Sequence, residues 1–482
     1  MSNQKTPVMA AIWSFIDSFS RQGISFVLGI ILARLLSPDD YGNVGVAMVF
    51  LSFANVLIDA GFTNALVRKL DRTEEDLSTA FYFNISASIL CYVILWLLAP
   101  FIADYFNLPA VKILIRVIGL SIVLSAFGAV QNMLYTAKLD MRTLLVISIL
   151  SQVPAGFVAI ALAYLDYGVY ALAIQALLSA GIRTVLLWQN SDWRPSSFFN
   201  RKSFSYLWGF GSKLVGANLI GVTFQQVNTF LIGKYFGSYN LGYYSKSSSL
   251  STNVNGVTEG IISRIAMPVL SRHQDDLGQL RSDFREIMRL LVLISAPLCI
   301  FLFYISDDLI VFLWSEKWLQ SSIYFKLLIL GVFWIPVGDL SQLLMHVMNR
   351  TDIVLKMEIP KKLVYTMYIF ICFKWGIIGL CVSQILTNLT ASLVNMYPTK
   401  NLLGYNYFEQ LIDILKYIGG SFLIGYIVSF LPHCESHLLY IIYFFGVYSV
   451  LFYGMMYLLK DSVTVKYVNK LLVKKPVVKK YI

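Results

Sequence analysis

Asp17 and Arg21 stand four residues apart in "WSFIDSFSRQGISF", a spacing that puts an acid and a base on one face of a helix. Other ionisable residues interrupt apolar stretches: Asp59, Lys213, Glu259, Arg264 and Asp339, with His346 and Glu358 nearer the ends of such stretches. Charges at membrane depth are costly and usually face an aqueous cavity or a partner. Two chemistries suit them. Arg21, Lys213 and Arg264 supply the concentrated positive charge that holds a pyrophosphate, through guanidinium forks and an ammonium point charge. Asp17, Asp59, Glu259 and Asp339 would suit a coupling cation, H+ or Na+. The residue types leave both open, and each charge also has a plainer role as a folding pair or a side chain reaching the headgroups.

Enzymatic signatures are weak. "GSK" at Gly211 to Lys213 lacks the rest of a phosphate-binding loop and lies in an apolar stretch. "HCESH" at His433 to His437 has no glutamate next to its first histidine, as a zinc protease would require. The five cysteines, Cys91, Cys299, Cys372, Cys381 and Cys434, show no metal-ligand spacing. Neither an enzyme, a metal nor a cofactor is expected.

The elements that position these charges are membrane helices. The chain is 57% hydrophobic and 13% charged, against roughly 45 to 50% apolar and about 25% charged in soluble domains. Mean hydropathy is +0.67. Runs such as "ISASILCYVILWLLAPFIA" and "LLYIIYFFGVYSVLFYGMMYLL" match the ~20 residues that cross a bilayer as helix. Unbroken runs of this length exclude a barrel, whose strands alternate. Fourteen spans are expected, with twelve as the alternative, and the first reads as a retained span, not a signal peptide. Connections on one side carry 23 lysines and arginines against 3 on the other, which places both termini in the cytoplasm. The net charge of +11 is therefore a topology signal and needs no nucleic acid.

An internal repeat organises the spans. An offset of two hundred residues lays Arg34 on Lys234, Gly42 on Gly242, Asp59 on Glu259 and Ala60 on Gly260 without a gap. In each copy an apolar run ends in a basic residue, turns, and returns through a run bearing an acid. The loop "RKLDRTEEDLSTAF" is answered by "SRHQDDLGQLRSDF". A six-span repeat keeps its orientation, so the halves should relate by an axis along the membrane normal. The expected fold is an all-α polytopic membrane protein with two pseudo-symmetric six-helix bundles facing a central cavity. The bundles are residues 1–189 and 206–400, joined by a cytoplasmic connector, 190–205, that reads as a hinge. A helix pair, 401–459, and a basic tail, 460–482, follow.

"LARLLSPDDYG", "LIDAGFTNALVRK", "YNLGYYSKSSSL", "ISRIAMPVLSRHQDD" and "FLWSEKW" resemble bacterial polysaccharide exporters of the Wzx type. The likeness is nearest to the lipopolysaccharide and colanic-acid exporter branch of the multidrug/oligosaccharidyl-lipid/polysaccharide flippase superfamily, and covers roughly residues 5–400. It implies a flippase in the bacterial inner membrane. Its cargo would be an undecaprenyl-pyrophosphate-linked oligosaccharide, moved from the cytoplasmic to the periplasmic leaflet by ion-coupled alternating access, for capsule, O-antigen or exopolysaccharide. Partners would be the lipid-linked oligosaccharide, membrane lipids, and a polysaccharide polymerase and glycosyltransferases. The family's cavity-lining bases form no fixed motif, so Arg21, Lys213 and Arg264 are positional assignments. Chemistry agrees with the cargo, because a sugar's unpaired hydroxyls cost several kcal/mol each in hydrocarbon. A cation-coupled drug or metabolite antiporter of the same plan is the alternative. A polytopic glycosyltransferase or polymerase would want a long extramembrane loop, and no connection exceeds about twenty residues.

Overall fold

Ser37 and Gly237, two hundred residues apart, each break a helix, and the chain's architecture follows from these two bends. The computed structural model describes residues 7–59, 61–69 and 71–472. All regular structure among them is helical. The chain divides into two compact units, Met1–Ser245 and Lys246–Ile482. The connector at 190–205 thus lies inside the first unit.

The first unit begins with α1 (Pro7–Leu35), α2 (Pro38–Asp59), α3 (Phe62–Arg68) and α4 (Glu74–Phe106). It continues with α5 (Pro109–Phe127), α6 (Ala129–Ala137), α7 (Met141–Tyr164), α8 (Val169–Asn190) and the start of α9 (Arg201–Ile261). The second unit takes the end of α9 and then α10 (Met267–Arg272), α11 (Leu277–Tyr304), α12 (Ser306–Trp314), α13 (Ser321–Val332) and α14 (Ile335–Val347). Its remaining helices are α15 (Thr351–Cys372), α16 (Gly376–Met396), α17 (Thr399–Leu403), α18 (Tyr407–Val428), α19 (His437–Leu458) and α20 (Ser462–Leu472).

Ten helical stretches among the described residues are long and apolar enough to cross a membrane, by length and composition alone. Thr351–Leu403 counts as one stretch although it contains α15 and α16. Neither α1 nor α9 is among the ten. Polar and charged residues along both, among them Asp17, Arg21, Lys213, Gln225 and Gln226, dilute their apolar character.

At the first bend Ser37 donates from its backbone N–H (2.9 Å) and its hydroxyl (2.7 Å) to Asp40 Oδ2, while Asp40 N–H donates back to Ser37 Oγ at 3.3 Å. This reciprocal cap starts α2 behind Pro38. At the second bend Gly237 takes φ 81 and ψ 169, a conformation a side chain would strain, and so interrupts α9. The two bends pack on each other within the first unit. A Cβ on Gly42 would stand 1.8 Å from the Ser238 carbonyl oxygen, and one on Gly242 would stand 1.8 Å from the Pro38 carbonyl oxygen. Residue and counterpart thus exchange places across a local two-fold, with Ser238 Oγ donating to Asp39.

The connector is strapped down. Trp193 Nε1 donates to Glu74 Oε1 at 2.8 Å, and the Asn200 backbone N–H donates to Thr79 Oγ1 at 3.0 Å. Trp193 also packs its ring 5.7 Å from that of Phe81. A segment read as a hinge is therefore fastened along α4, because its tryptophan has an aromatic bed to fill.

In the second unit, α13 and α14 meet at a break before Pro336, which cannot donate a backbone hydrogen bond. Carbonyls around the break are satisfied from α16. Asn388 Nδ2 donates to Gly331 O at 3.2 Å, Ser392 Oγ to Trp334 O at 2.5 Å, and Asn395 Nδ2 to Gly338 O at 3.3 Å. Broken helices persist in a membrane where neighbours supply such partners. Asp339 follows directly.

Candidate functional site

Each unit holds a charged cluster of its own. In the first, Asp17 is 4% exposed and accepts from Arg21 Nη2 at 2.6 Å, so the spacing of four read from the sequence makes the ion pair it implied. The other carboxylate oxygen is buried without a hydrogen-bond partner among the described residues. The electrostatic neighbours of Arg183 on α8 are Arg21 and Asp17. Its guanidinium donates to Ser148 Oγ at 3.0 Å and to Asn132 Oδ1 at 2.9 Å, which ties α8 to α7 and α6. One guanidinium thus pairs with the carboxylate, and a second lies within electrostatic reach of it.

A cavity of about 340 Å³ lies one helical turn along from this cluster. Its lining includes Ser25, Gln152 and Ser179, each four residues from a member of the cluster: Arg21, Ser148 and Arg183. Tyr41 and Gln175 add further polar groups, and Gln152 Oε1 is buried without a hydrogen-bond partner among the described residues. Polar groups in a helix bundle that outnumber their partners can receive a hydrated or polar ligand.

In the second unit the balance is acidic. Asn255 Nδ2 donates to Glu259 Oε1 at 2.7 Å. The charges acting on Asp339 are those of Glu259 and Lys361. Lys361 Nζ lies 2.5 Å from Glu358 Oε1 and donates to Asn395 Oδ1 at 3.1 Å. Glu259 and Lys361 thus act on Asp339, and Glu358 is paired with the same Lys361.

The remaining candidates are apart. Asp59 accepts from Thr63 Oγ1 at 2.8 Å, a local bond where α2 gives way to α3. Lys213 is exposed on α9 and makes no ion pair or hydrogen bond among the described residues. Arg264 falls in a π-helical turn, Ile262–Ala266, and its side chain lies outside the described residues. Sequence reading passed over Arg183 and Lys361. The available signal was a lone arginine inside the apolar α8 and a lysine four residues beyond Met357 in α15, both at membrane depth. Arg116 gives the same signal, yet its guanidinium lies over Trp96 at 4.0 Å, a packing role.

The chain is 26% identical to the teichuronic acid biosynthesis protein TuaB of Bacillus subtilis (strain 168), over 88% of this chain and 83% of that protein. It is 23% identical to the lipopolysaccharide biosynthesis protein WzxC of Escherichia coli (strain K12), over 86% and 85%. Its fold is similar to that of the lipid II flippase MurJ in an inward closed conformation, with a TM-score of 0.74 at 16% identity, covering 93% of this chain and 100% of that one. It is also similar to an inward-facing multidrug resistance MATE transporter, with a TM-score of 0.61 at 14% identity, covering 80% and 94%. Residues 31–323 match the model of the family described as polysaccharide biosynthesis protein, and the chain belongs to that family.

Proposed function

We propose that this protein is a flippase for lipid-linked oligosaccharides in polysaccharide biosynthesis. The observation that carries the reading is the guanidiniums of Arg21 and Arg183, within electrostatic reach of each other, near a cavity lined in part by Ser25, Tyr41, Gln152, Gln175 and Ser179, in a chain of this family. Two guanidiniums against one carboxylate leave an excess positive charge where a pyrophosphate could be met by forked donors. The cargo is an undecaprenyl-pyrophosphate-linked repeat unit, and its prenyl tail stays in lipid while the sugars pass through the bundle interior. The chemistry asked of the protein is translocation: no bond of the cargo is made or broken.

The acidic cluster of Glu259, Asp339 and Glu358 carries the coupling ion, H+ or Na+, and Lys213 and Arg264 supply further positive charge for the cargo. The host is the bacterial inner membrane, with both termini cytoplasmic, a reading supported by the bias of 23 basic residues against 3. A polymerase and glycosyltransferases act beside it. A cysteine replacing Asp166 should react with a membrane-impermeant thiol reagent in intact cells, and one replacing Lys480 should not. The reverse pattern would invert the orientation.

A cation-coupled antiporter is the second reading, favoured by the acids and by the MATE-like fold. Proteoliposomes carrying a fluorescent pyrophosphate-linked saccharide lipid separate the two. Protein-dependent loss of fluorescence to an external quencher supports the flippase. Drug uptake driven by an ion gradient, with no movement of the lipid, would replace it with the antiporter.

A further inference from the structure

A basic pocket of about 410 Å³ opens between α11 and α20 in the second unit, apart from the cluster around Asp339. Arg281, Arg285 and Arg289 line it from α11 at spacings of four, Ser462 and Lys466 line it from α20, and Glu286 is the acid in its lining. The bonds of these cations leave donors over. Asp413 on α18 takes Arg289 Nη2 at 2.5 Å on one oxygen, and Arg285 Nε at 2.7 Å and Tyr405 Oη at 2.6 Å on the other. A single carboxylate is thus shared by two guanidiniums, and both terminal nitrogens of Arg285 are without a hydrogen bond among the described residues. Arg281 meets Glu409 only at 3.4 Å, with both side chains exposed. Arg289 Nη1 orients the Ser462 hydroxyl at 3.1 Å.

The surroundings point to lipid. Leu277 begins α11, Phe408 and Ile412 flank Glu409 and Asp413 on α18, and Leu458 and Leu459 precede α20; all five are exposed. The sequence after Lys466 continues with Lys470, Lys474, Lys475, Lys479 and Lys480. Forked donors beside exposed apolar side chains, in a chain whose sequence goes on to further lysines, match a lipid whose headgroup carries a phosphate. We propose that the pocket between α11 and α20 binds the phosphate of an anionic phospholipid, and so holds α20 against the bundle. The site is independent of which cargo the protein carries.

The test uses the full chain in nanodiscs of phosphatidylcholine with and without phosphatidylglycerol, free of any polyprenyl lipid. Lipid retained after detergent extraction is counted by native mass spectrometry. Arg281→Gln/Lys466→Gln removes two cations whose pairs, with Glu409 and Glu286, are exposed and contribute little to folding. Wild type should retain phosphatidylglycerol saturably, and the double variant should bind it about tenfold or more weakly, as loss of charge-assisted hydrogen bonds implies. Replacing Lys474, Lys475, Lys479 and Lys480 with Gln should leave most retention in place. Equal retention by Arg281→Gln/Lys466→Gln overturns the proposal, as does retention abolished by the tail changes alone. Inorganic phosphate that displaces the lipid at matched concentration would assign the pocket to a free anion instead.

Discussion

Residues 7–59 and 201–261 are two copies of one helix–bend–helix unit, alike at the bend and unlike in the charges beside it. At the bend, Ser37 answers Gly237 and Gly42 answers Gly242, and each glycine receives the other copy's carbonyl at close range. One turn of constraint acts on both copies at once. Away from the bend, Asp17 and Arg21 have Ala217 and Gly221 at the corresponding places, and the acid of the second copy, Glu259, is bonded to Asn255 where Asp59 is bonded to Thr63. Mutual packing holds the bend fixed, whereas interior positions are free to specialise. The result is one cluster with an excess of bases and another with an excess of acids.

The largest expected effect tests that division of charge. Arg21→Ala/Arg183→Ala should abolish glycan export in an exporter-null strain while membrane protein stays near its normal level. A hydrogen bond to a charged group contributes roughly 1.5 to 3 kcal/mol, so each arginine is worth one to two decades in cargo affinity. Asp339→Asn should act differently, preserving cargo binding but removing the response of transport to an imposed ion gradient in proteoliposomes. If both variants lose cargo binding alike, the two clusters share one role and the contrast fails.

The bend predicts sameness instead. Gly42→Ala and Gly242→Ala each place a methyl group 1.8 Å from a carbonyl oxygen, so the helices must separate. Overpacking of this kind costs about 1 to 3 kcal/mol, and the two variants should lower the melting temperature of the detergent-solubilised protein by similar amounts. Gly45→Ala, whose methyl would lie 3.2 Å from Ser245 Oγ, should be milder. Unequal effects at positions 42 and 242 would break the local two-fold.

Each unit also ties down a helix start with a lysine–aspartate pair, Lys69 with Asp76 and Lys416 with Asp461, both at 2.6 Å. Burial works against the Asp461 carboxylate, yet Lys416 and the N–H and hydroxyl of Thr464 hold it below the usual carboxylate range. Because its folded pKa is depressed, its contribution is present above the unfolded value of about 4 and is lost as pH falls through the folded value. Asp461→Asn should therefore destabilise the second unit by about 1 to 2 kcal/mol at neutral pH. The difference from wild type should shrink in thermal melts below about pH 4.

The bend was legible in the sequence because glycine, proline and a capping serine act locally, and their chemistry shows at fixed offsets. The Asp17–Arg21 pair was legible for the same reason, one helical turn being short-range geometry. Arg183 and Lys361 were not. Arg183 meets Ser148 and Asn132, 35 and 51 residues away, only once helices have packed, and Lys361, though it pairs locally with Glu358, also needs Asn395, 34 residues on. The anchoring of the connector was hidden for the opposite reason: its sequence is polar and carries a proline, and only the aromatic bed around Phe81 reveals the anchor for Trp193.

The smallest expected effect concerns Arg34 and Lys234, which match in the repeat better than any charge at the sites. Lys234 ends the apolar part of α9 before the bend, lies 3.8 Å over the ring of Tyr105 and donates to the Tyr105 carbonyl. Tyr105 itself is exposed at the end of α4. A cation over an exposed ring contributes about 0.5 to 1 kcal/mol, and an alanine there also gives up the contact of the lysine stem with the helix surface. Lys234→Ala should therefore lower the melting temperature slightly and leave export unchanged, and Lys234→Arg should restore the stability by stacking on the same ring. Loss of export at normal protein level in Lys234→Ala would move a transport role to the bend, and the comparison between a structural bend and functional interiors would have to be redrawn.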